Sequence, residues 1–273
     1  MVAVESRAPP APDGFLVCGA CPRECRIVPG AVGFCGALQH GHCALERTHH
    51  GAPFSLRVTR IEASGLRRFR PGSTWTAVES PGSGLEGTTG HPHRIESEFP
   101  WMSAEQAVFL SRSWGCAGVY LDEDDPVFSA REGLDILTSA RAAGMETALC
   151  TTGFLAPRIR ERLFAQASAV SLHLLSDSPL FYRRRYAARF EPIRETVTWL
   201  RNHPTVHLEV TVPLIPEESD RFLRLVTWLR EVFGASTPLS LVVDDTVRER
   251  ASLQRALDAS RALGMTDVAP GLA

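Results

Sequence analysis

The chain has 273 residues, of which 44% are apolar, and a formal net charge of -2. This length can bury one large core, or one core with a small appendage. The small net charge excludes the strongly basic surface of a nucleic-acid-binding protein, and no apolar run approaches the ~18 residues of a membrane span. We therefore expect a protein that binds neither nucleic acid nor membrane.

The N-terminal residues 1–13 are rich in Ala and Pro and lack the basic and apolar regions of a signal peptide. We expect them to form a disordered leader, and we expect a cytoplasmic protein. Residues 14–50 are dense in cysteine and are called the Cys-rich knob here. Residues 51–273 form the remaining expected domain.

Four cysteines of the knob follow the spacing C-x2-C-x3-C-x9-C, namely Cys18, Cys21, Cys25 and Cys35. Thiolates two or three residues apart can lie on one tight turn, and the loop to the fourth is long enough to return it. Such a set holds zinc in a closed structural site, or an iron–sulfur cluster. A disulfide framework is the third alternative and would require an oxidising compartment. The spacing predicts a metal site that holds zinc or iron–sulfur.

After the knob, short β-like runs alternate with segments of helical period. Ser103 and Gln106 fit a capping box that begins a helix ending near residue 114. Further helices are expected at 130–142, from 157, and at 193–200, 220–232 and 248–263. Strands are expected at 54–61, 75–78, 117–121, 147–150, 169–174, 206–212 and 239–243. The alternation predicts βαβ units and a parallel sheet, and six strands from residue 75 onward predict an incomplete barrel.

Several segments carry a resemblance to one family. They are the knob, the strand that ends at Glu62, the turn at 69–73, the approach to a strand at 115–118, and the run at 151–154. From about residue 15 to 264 the chain resembles the radical SAM proteins of the AmmeMemoRadiSam system, relatives of the pyruvate formate-lyase activating enzymes. The resemblance implies an α/β fold, a partial (β/α)6 TIM-like barrel of the radical SAM type. In that family the barrel mouth holds a [4Fe-4S] cluster and S-adenosylmethionine.

The chain departs from this family at the residues that carry its chemistry. The family places three cysteines after the first barrel strand, whereas this chain has no cysteine between Cys43 and Cys116. The family's Asn-Glu-Pro and Asp-Leu-Lys segments are also altered, and its Asn-Gly has become Thr-Gly. By the resemblance, the candidate cofactor-binding residues are Glu123, Asp124, Thr152, Gly153 and His173. The missing thiolates argue against S-adenosylmethionine binding.

These departures favour a protein that has lost the barrel cluster and acts as a non-catalytic partner or scaffold. Its mouth would then bind a small metabolite or another protein. One alternative is an active radical SAM enzyme that uses the knob cysteines, although we expect the knob to be peripheral. A second is a repurposed barrel enzyme that uses His173 and an acidic loop. The loop residues His91, His93, Glu96 and Glu98 either join His173 in a metal site or are solvated.

Overall fold

The structure is a computed structural model that describes residues 14–19, 21–35, 38–41, 44–47, 54–79, 85, 102–122, 130–214, 219–243 and 247–271. Two short antiparallel ladders form the knob: β1 (Leu16–Val17) pairs with β2 (Arg26–Ile27), and β3 (Leu38–His40) pairs with β4 (Leu45–Arg47). Leu16, Ile27, Leu38 and Leu45 pack together as a small apolar cluster with Cys18. The knob is thus built from hairpins whose turns carry the cysteines.

An eight-stranded sheet forms the larger part of the fold. Its strands lie side by side in chain order: β5 (Ser55–Arg60), β6 (Thr74–Glu79), β7 (Gly118–Leu121), β8 (Glu146–Thr151), β9 (Ala169–His173), β10 (His207–Pro213), β11 (Leu239–Val242) and β12 (Val268–Pro270). All neighbours from β6 to β12 are parallel, and β5 runs antiparallel to β6 at the edge. Among the described residues no pairing joins β5 to β12, so the sheet is an open, partial barrel.

Helices follow each strand from β6 to β11. They are α1 (Ala104–Ser113), α2 (Ala130–Ala142), α3 (Pro157–Phe164), α4 (Pro179–Tyr186), α5 (Glu191–Asn202), α6 (Ser219–Phe233) and α7 (Val247–Ala262). Six strand–helix units in sequential order confirm the predicted partial (β/α)6 barrel. The main core lies between the sheet and this helix layer.

The predicted capping box of α1 is confirmed, because Ser103 Oγ accepts from the Gln106 N–H and Gln106 Oε1 accepts from the Ser103 N–H. The sequence reading missed α4 and β12. Ser178 as N-cap and Pro179 as first helical residue are a standard helix start, and they were the available signal for α4. β12 has three residues, too few for a periodic pattern.

The opposite, concave face of the sheet is covered by residues 61–73, called the covering segment here. It begins with a 3-10 helix, Ile61–Ser64, and packs Ile61 and Leu66 against strand residues such as Trp75 and Tyr120. Glu209, on β10 and fully buried, fixes the segment, since its carboxylate accepts from the backbone N–H groups of Arg67, Arg68 and Phe69 at 2.8–2.9 Å. Backbone donors of the segment therefore replace water around this buried carboxylate.

Arginines tie the covering segment to the N-terminal ends of the strands. Arg67 and Arg68 both pair with Asp267, which precedes β12, at 2.5 and 2.9 Å. Arg70 forms an ion pair with Glu146 at the start of β8. This end of the barrel is closed, so the carboxyl ends of the strands form the barrel mouth.

Among the described residues, no helix is both long and apolar enough to cross a membrane.

Gly65 ends the 3-10 helix at φ 88°, where a Cβ would lie 2.5 Å from Thr211 Oγ1 and 2.7 Å from Ser171 Oγ. We expect Gly65→Ala to lower the free energy of unfolding by about 3 kcal/mol, because it adds a steric clash to an unfavourable backbone conformation. Gly72→Ala is the matched control, since Gly72 has φ 76° with open space around it. We expect it to cost about 1 kcal/mol in the same urea titration. Equal losses would contradict the close approach at Gly65.

Glu209→Gln places an amide NH2 among backbone N–H donors, so at least one hydrogen bond is lost and two donors face each other. We expect a loss of about 3 kcal/mol in urea unfolding. Glu62→Gln is the control, because Glu62 is half-buried, accepts from the single N–H of Gly72, and keeps an oxygen for it. A loss for Glu209→Gln no larger than for the control would show that the covering segment is held elsewhere.

Candidate functional site

The four knob cysteines lie on the turns of two hairpins. Cys18 and Cys25 face each other across the first hairpin, where the Cys18 N–H donates to the Cys25 carbonyl at 2.9 Å. Cys21 lies in its turn, and Cys35 lies in the turn of a second hairpin, which is closed by a bridge between Val32 and Gln39. No disulfide bond joins two of the described cysteines.

The neighbouring cysteines affect the electrostatics of the Cys21 thiol. Burial raises the pKa of the Cys21 thiol far above its ordinary value, and Cys18, Cys35 and Cys25 raise it further through their charges. The Arg23 backbone N–H hydrogen-bonds the Cys21 sulfur and acts in the opposite direction. An N–H donor on sulfur stabilises a thiolate, the form that binds metal.

The donor chemistry of this cluster fits zinc or an iron–sulfur cluster. As the side chains are placed, however, no group of three His, Cys, Asp or Glu residues in the described part of the chain could hold a metal ion together. Binding therefore requires the two turns to close further on the ion. The assignment of Cys18, Cys21, Cys25 and Cys35 as metal ligands stays a prediction.

The knob contacts the barrel directly, so the expectation of a peripheral knob is wrong. Cys21 packs into the main core of the barrel. The Arg23 guanidinium donates to the carbonyls of Tyr186 and Ala187, at 2.6 and 3.1 Å, and Arg189 donates to the Pro22 carbonyl at 3.2 Å. The cysteine turn is thus fixed beside the C-terminal end of α4.

A second group of polar side chains lies on the concave face of the sheet at the carboxyl ends of the strands. We call it the mouth cluster: Glu79, Asp122, Cys150, Ser171, His173 and Thr211. Parallel register brings these residues together, since Leu121 pairs with Leu149, Cys150 with Ser171, and His173 with Thr211. Alternation along each strand then directs every second side chain to the same face.

The covering segment forms the floor of this cluster. The Cys150 thiol donates to the Ser64 carbonyl at 3.4 Å. His173 Nε2 lies 3.1 Å from Ser171 Oγ and 3.4 Å from the same carbonyl. Thr211 is 7% exposed, and its hydroxyl oxygen has no hydrogen-bond partner among the described residues. The cluster therefore combines an imidazole, a thiol and hydroxyls around one buried backbone carbonyl.

Arg57 joins the two acidic residues of the mouth cluster, Glu79 and Asp122. Its guanidinium contacts Glu79 at 2.6 Å and Asp122 at 2.7 Å, so one positive charge serves two carboxylates. Burial raises the pKa of Asp122 above its ordinary value; Arg57 and His173 lower it and Glu79 raises it further. Burial and the neighbouring Asp122 also raise the pKa of Tyr120. Such desolvated carboxyls occur often at functional sites.

The predicted cofactor-binding residues separate in the structure. His173 belongs to the mouth cluster. Thr152 is buried at the exit of β8, and the Gly153 carbonyl accepts from Thr196 Oγ1 of α5 at 2.7 Å, so Gly153 joins the sheet to the helix layer. Glu123 and Asp124 lie outside the described residues, as do His91, His93, Glu96 and Glu98. Cofactor binding by these residues stays a prediction.

Sequence reasoning missed Cys150, Arg57, Tyr120 and Thr211 as residues of this site or in contact with it. The available signal was the alternation of Tyr120 with Asp122 at β7 and of Ser171 with His173 on β9, the two strands that flank β8. The mouth cluster contains Cys150 as its single thiol, so the cluster does not fit the three-thiolate ligation of a radical SAM iron–sulfur centre.

No family model matches the chain. It is 25% identical over 236 residues to Uncharacterized protein MJ0808 of Methanocaldococcus jannaschii, a match that covers 83% of this chain and 70% of that protein. A domain of pyruvate-formate lyase-activating enzyme from Bacteroides vulgatus gives a TM-score of 0.49 at 15% identity, over 57% of this chain and 99% of that domain. SuiB of Streptococcus suis, bound to S-adenosylmethionine, gives 0.49 at 10% identity, over 63% of this chain and 42% of SuiB. The match thus spans less than half of the length of SuiB.

The substitution Asp122→Asn tests whether burial raises the pKa of this carboxyl group. Because the pKa of Asp122 is raised in the folded chain, the folded state holds this proton more tightly than the unfolded chain does. Wild-type stability therefore falls as pH rises from the ordinary aspartate range near ~4 through the raised pKa. Asparagine does not titrate, so we expect the stability of the variant relative to wild type to increase with pH across this window.

Urea unfolding at intervals from about pH 4 to 8 measures this difference. Asp258→Asn, on the exposed surface of α7, is the control for loss of a solvated carboxylate. A relative stability of Asp122→Asn that is constant or decreases with pH would contradict the burial effect.

Proposed function

We propose that this protein is a non-catalytic, radical-SAM-like barrel that binds a small polar metabolite at its mouth and holds a structural zinc ion in its knob. The observation that carries the metabolite site is the mouth cluster, where the hydroxyl of Thr211 is buried and has no partner among the described residues. A buried polar group without a partner is unfavourable by about 1–3 kcal/mol, and a ligand that supplies a hydrogen bond removes this penalty.

The charge of the cluster supports the same proposal. Asp122 is desolvated and shares Arg57 with Glu79, while His173, Ser171 and Thr211 supply further polar atoms. A concave site with a few convergent polar groups is typical of small-molecule binding. A flat protein interface would place such groups at a solvent-exposed rim, so we favour a metabolite over a protein partner.

The absence of cysteine between Cys43 and Cys116 supports a non-catalytic role, because the resembled enzymes ligate their cluster with three thiolates from this stretch. Four thiolates in the knob support zinc, which such sets bind in closed structural sites.

One observation favours a second candidate, a radical SAM enzyme that uses the knob cysteines. Cys21 packs into the barrel core, and Arg23 lies over the ring of Phe154, just beyond the exit of β8. A cluster bound in the knob would thus lie beside the barrel. The same metal measurement distinguishes the two candidates.

Metal and sulfide analysis of protein purified anaerobically, and then reconstituted with iron and sulfide, tests the proposal. We expect about one zinc per chain and no visible chromophore, because the site is a closed four-thiolate set. The Cys18→Ala/Cys21→Ala variant should lose the zinc. Cys116→Ala, which changes a buried thiol outside the knob, should retain it. About four irons with a broad visible band, lost in the double variant, would favour the enzyme.

A further inference from the structure

We propose that an open groove between α6 and the loop after β9 binds a free basic amino acid, such as lysine, independently of the mouth cluster and the knob. The groove has a volume of about 430 Å³. This volume falls within the ~300–1,000 Å³ that is typical of small-molecule sites. The residues that line the groove are Asp177, Leu223, Arg224, Thr227, Trp228 and Glu231.

Asp177, in the loop after β9, supplies a hydrogen-bond acceptor to the groove. Its Oδ1 atom is buried and has no hydrogen-bond partner among the described residues. The loop itself is fixed, since the Ser176 N–H donates to the Tyr182 hydroxyl at 3.3 Å and the Ser178 N–H donates to Ser176 Oγ at 3.1 Å. A desolvated carboxylate oxygen without a donor is unfavourable, and an ammonium group in the groove would supply that donor. Asp177 therefore indicates a cationic ligand.

One face of α6 forms the opposite wall of the groove. Arg224, Thr227, Trp228 and Glu231 follow one another at helical spacing, so they lie on the same side of α6. Arg224 and Glu231 are two helical turns apart, which separates their backbones by about 10 Å along the helix axis. Trp228 lies between them, and Leu223 adds a second apolar side chain beside Arg224. The wall thus has a cation at one end, an apolar middle and an anion at the other end.

The charges of the groove match a ligand with two cationic groups and one anionic group. No ion pair among the described residues joins Arg224 to Asp177 or to Glu231, so these charges do not neutralise one another within the protein. A ligand carboxylate at Arg224 and a cationic side chain at Glu231 would extend the ligand along α6, with its methylene stem over Trp228. The α-ammonium would then face Asp177 on the other wall. A basic amino acid carries these three groups and an apolar stem.

Isothermal titration calorimetry of the full chain with L-lysine tests the proposal. We expect a dissociation constant on the order of 1 mM, because the groove is open to solvent and the ligand is small. Norleucine lacks the side-chain cation and cadaverine lacks the α-carboxylate, so each should bind about tenfold more weakly than L-lysine. Absence of L-lysine binding at about 20 mM, or equal binding of all three compounds, would overturn the proposal.

Two substitutions in the groove locate the binding. Asp177→Asn should weaken L-lysine binding about tenfold, because the amide has nearly the same shape and no negative charge. Arg224→Gln should weaken L-lysine binding by a similar factor without weakening cadaverine binding, since cadaverine has no carboxylate for Arg224 to bind.

Asp258→Asn is the matched control, because it removes an exposed carboxylate from α7, and it should bind L-lysine as the wild type does. Urea unfolding of each variant checks that it folds. L-lysine binding that Asp177→Asn and Arg224→Gln both leave intact would show that the ligand binds elsewhere, and would overturn the assignment of the groove.

Discussion

Glu209 is a buried carboxylate on a central strand, and a chain that places one there must surround it with donors. It does so by folding residues 61–73 over the concave face, so that three successive N–H groups converge on the two carboxylate oxygens. This arrangement fixes the position of the covering segment. The contacts of Gly65, the floor formed by the Ser64 carbonyl and the ion pairs with Asp267 all depend on it.

Among the described residues, the two ends of the barrel differ in how their polar groups are paired. At the closed end, Arg67 and Arg68 pair with Asp267 and Arg70 pairs with Glu146, and the hydrogen bond from Arg70 lowers the pKa of Glu146. At the mouth, Asp122 is desolvated and Thr211 keeps an unpartnered hydroxyl among the described residues. A sequence selected only for stability would remove such groups, so their retention at one end is consistent with a binding site there.

The sequence predicted the barrel well because strand and helix periodicity is a local property. It predicted the capping box of α1 and the parallel sheet of an incomplete barrel. The family resemblance, not the periodicity, pointed to His173. The sequence did not reveal Glu209 as the anchor of the covering segment, because that role depends on backbone donors 140 or more positions away. Cys150 and Asp122 likewise lie close together because of the pairing register of β7 and β8. That register depends on both strands, so it cannot be predicted from either segment alone.

The knob illustrates the same limit in a different way. Cysteine spacing indicated a metal site but could not show where the site lies, and the expectation of a peripheral position failed because Arg23 and Cys21 reach the barrel. Burial raises the pKa of the Cys21 thiol, because this side chain packs into the barrel core. Arg23 follows Cys21 by two residues and donates to the last carbonyls of α4. The cysteine turn is therefore fixed to the barrel by packing at one residue and by hydrogen bonds at the next but one.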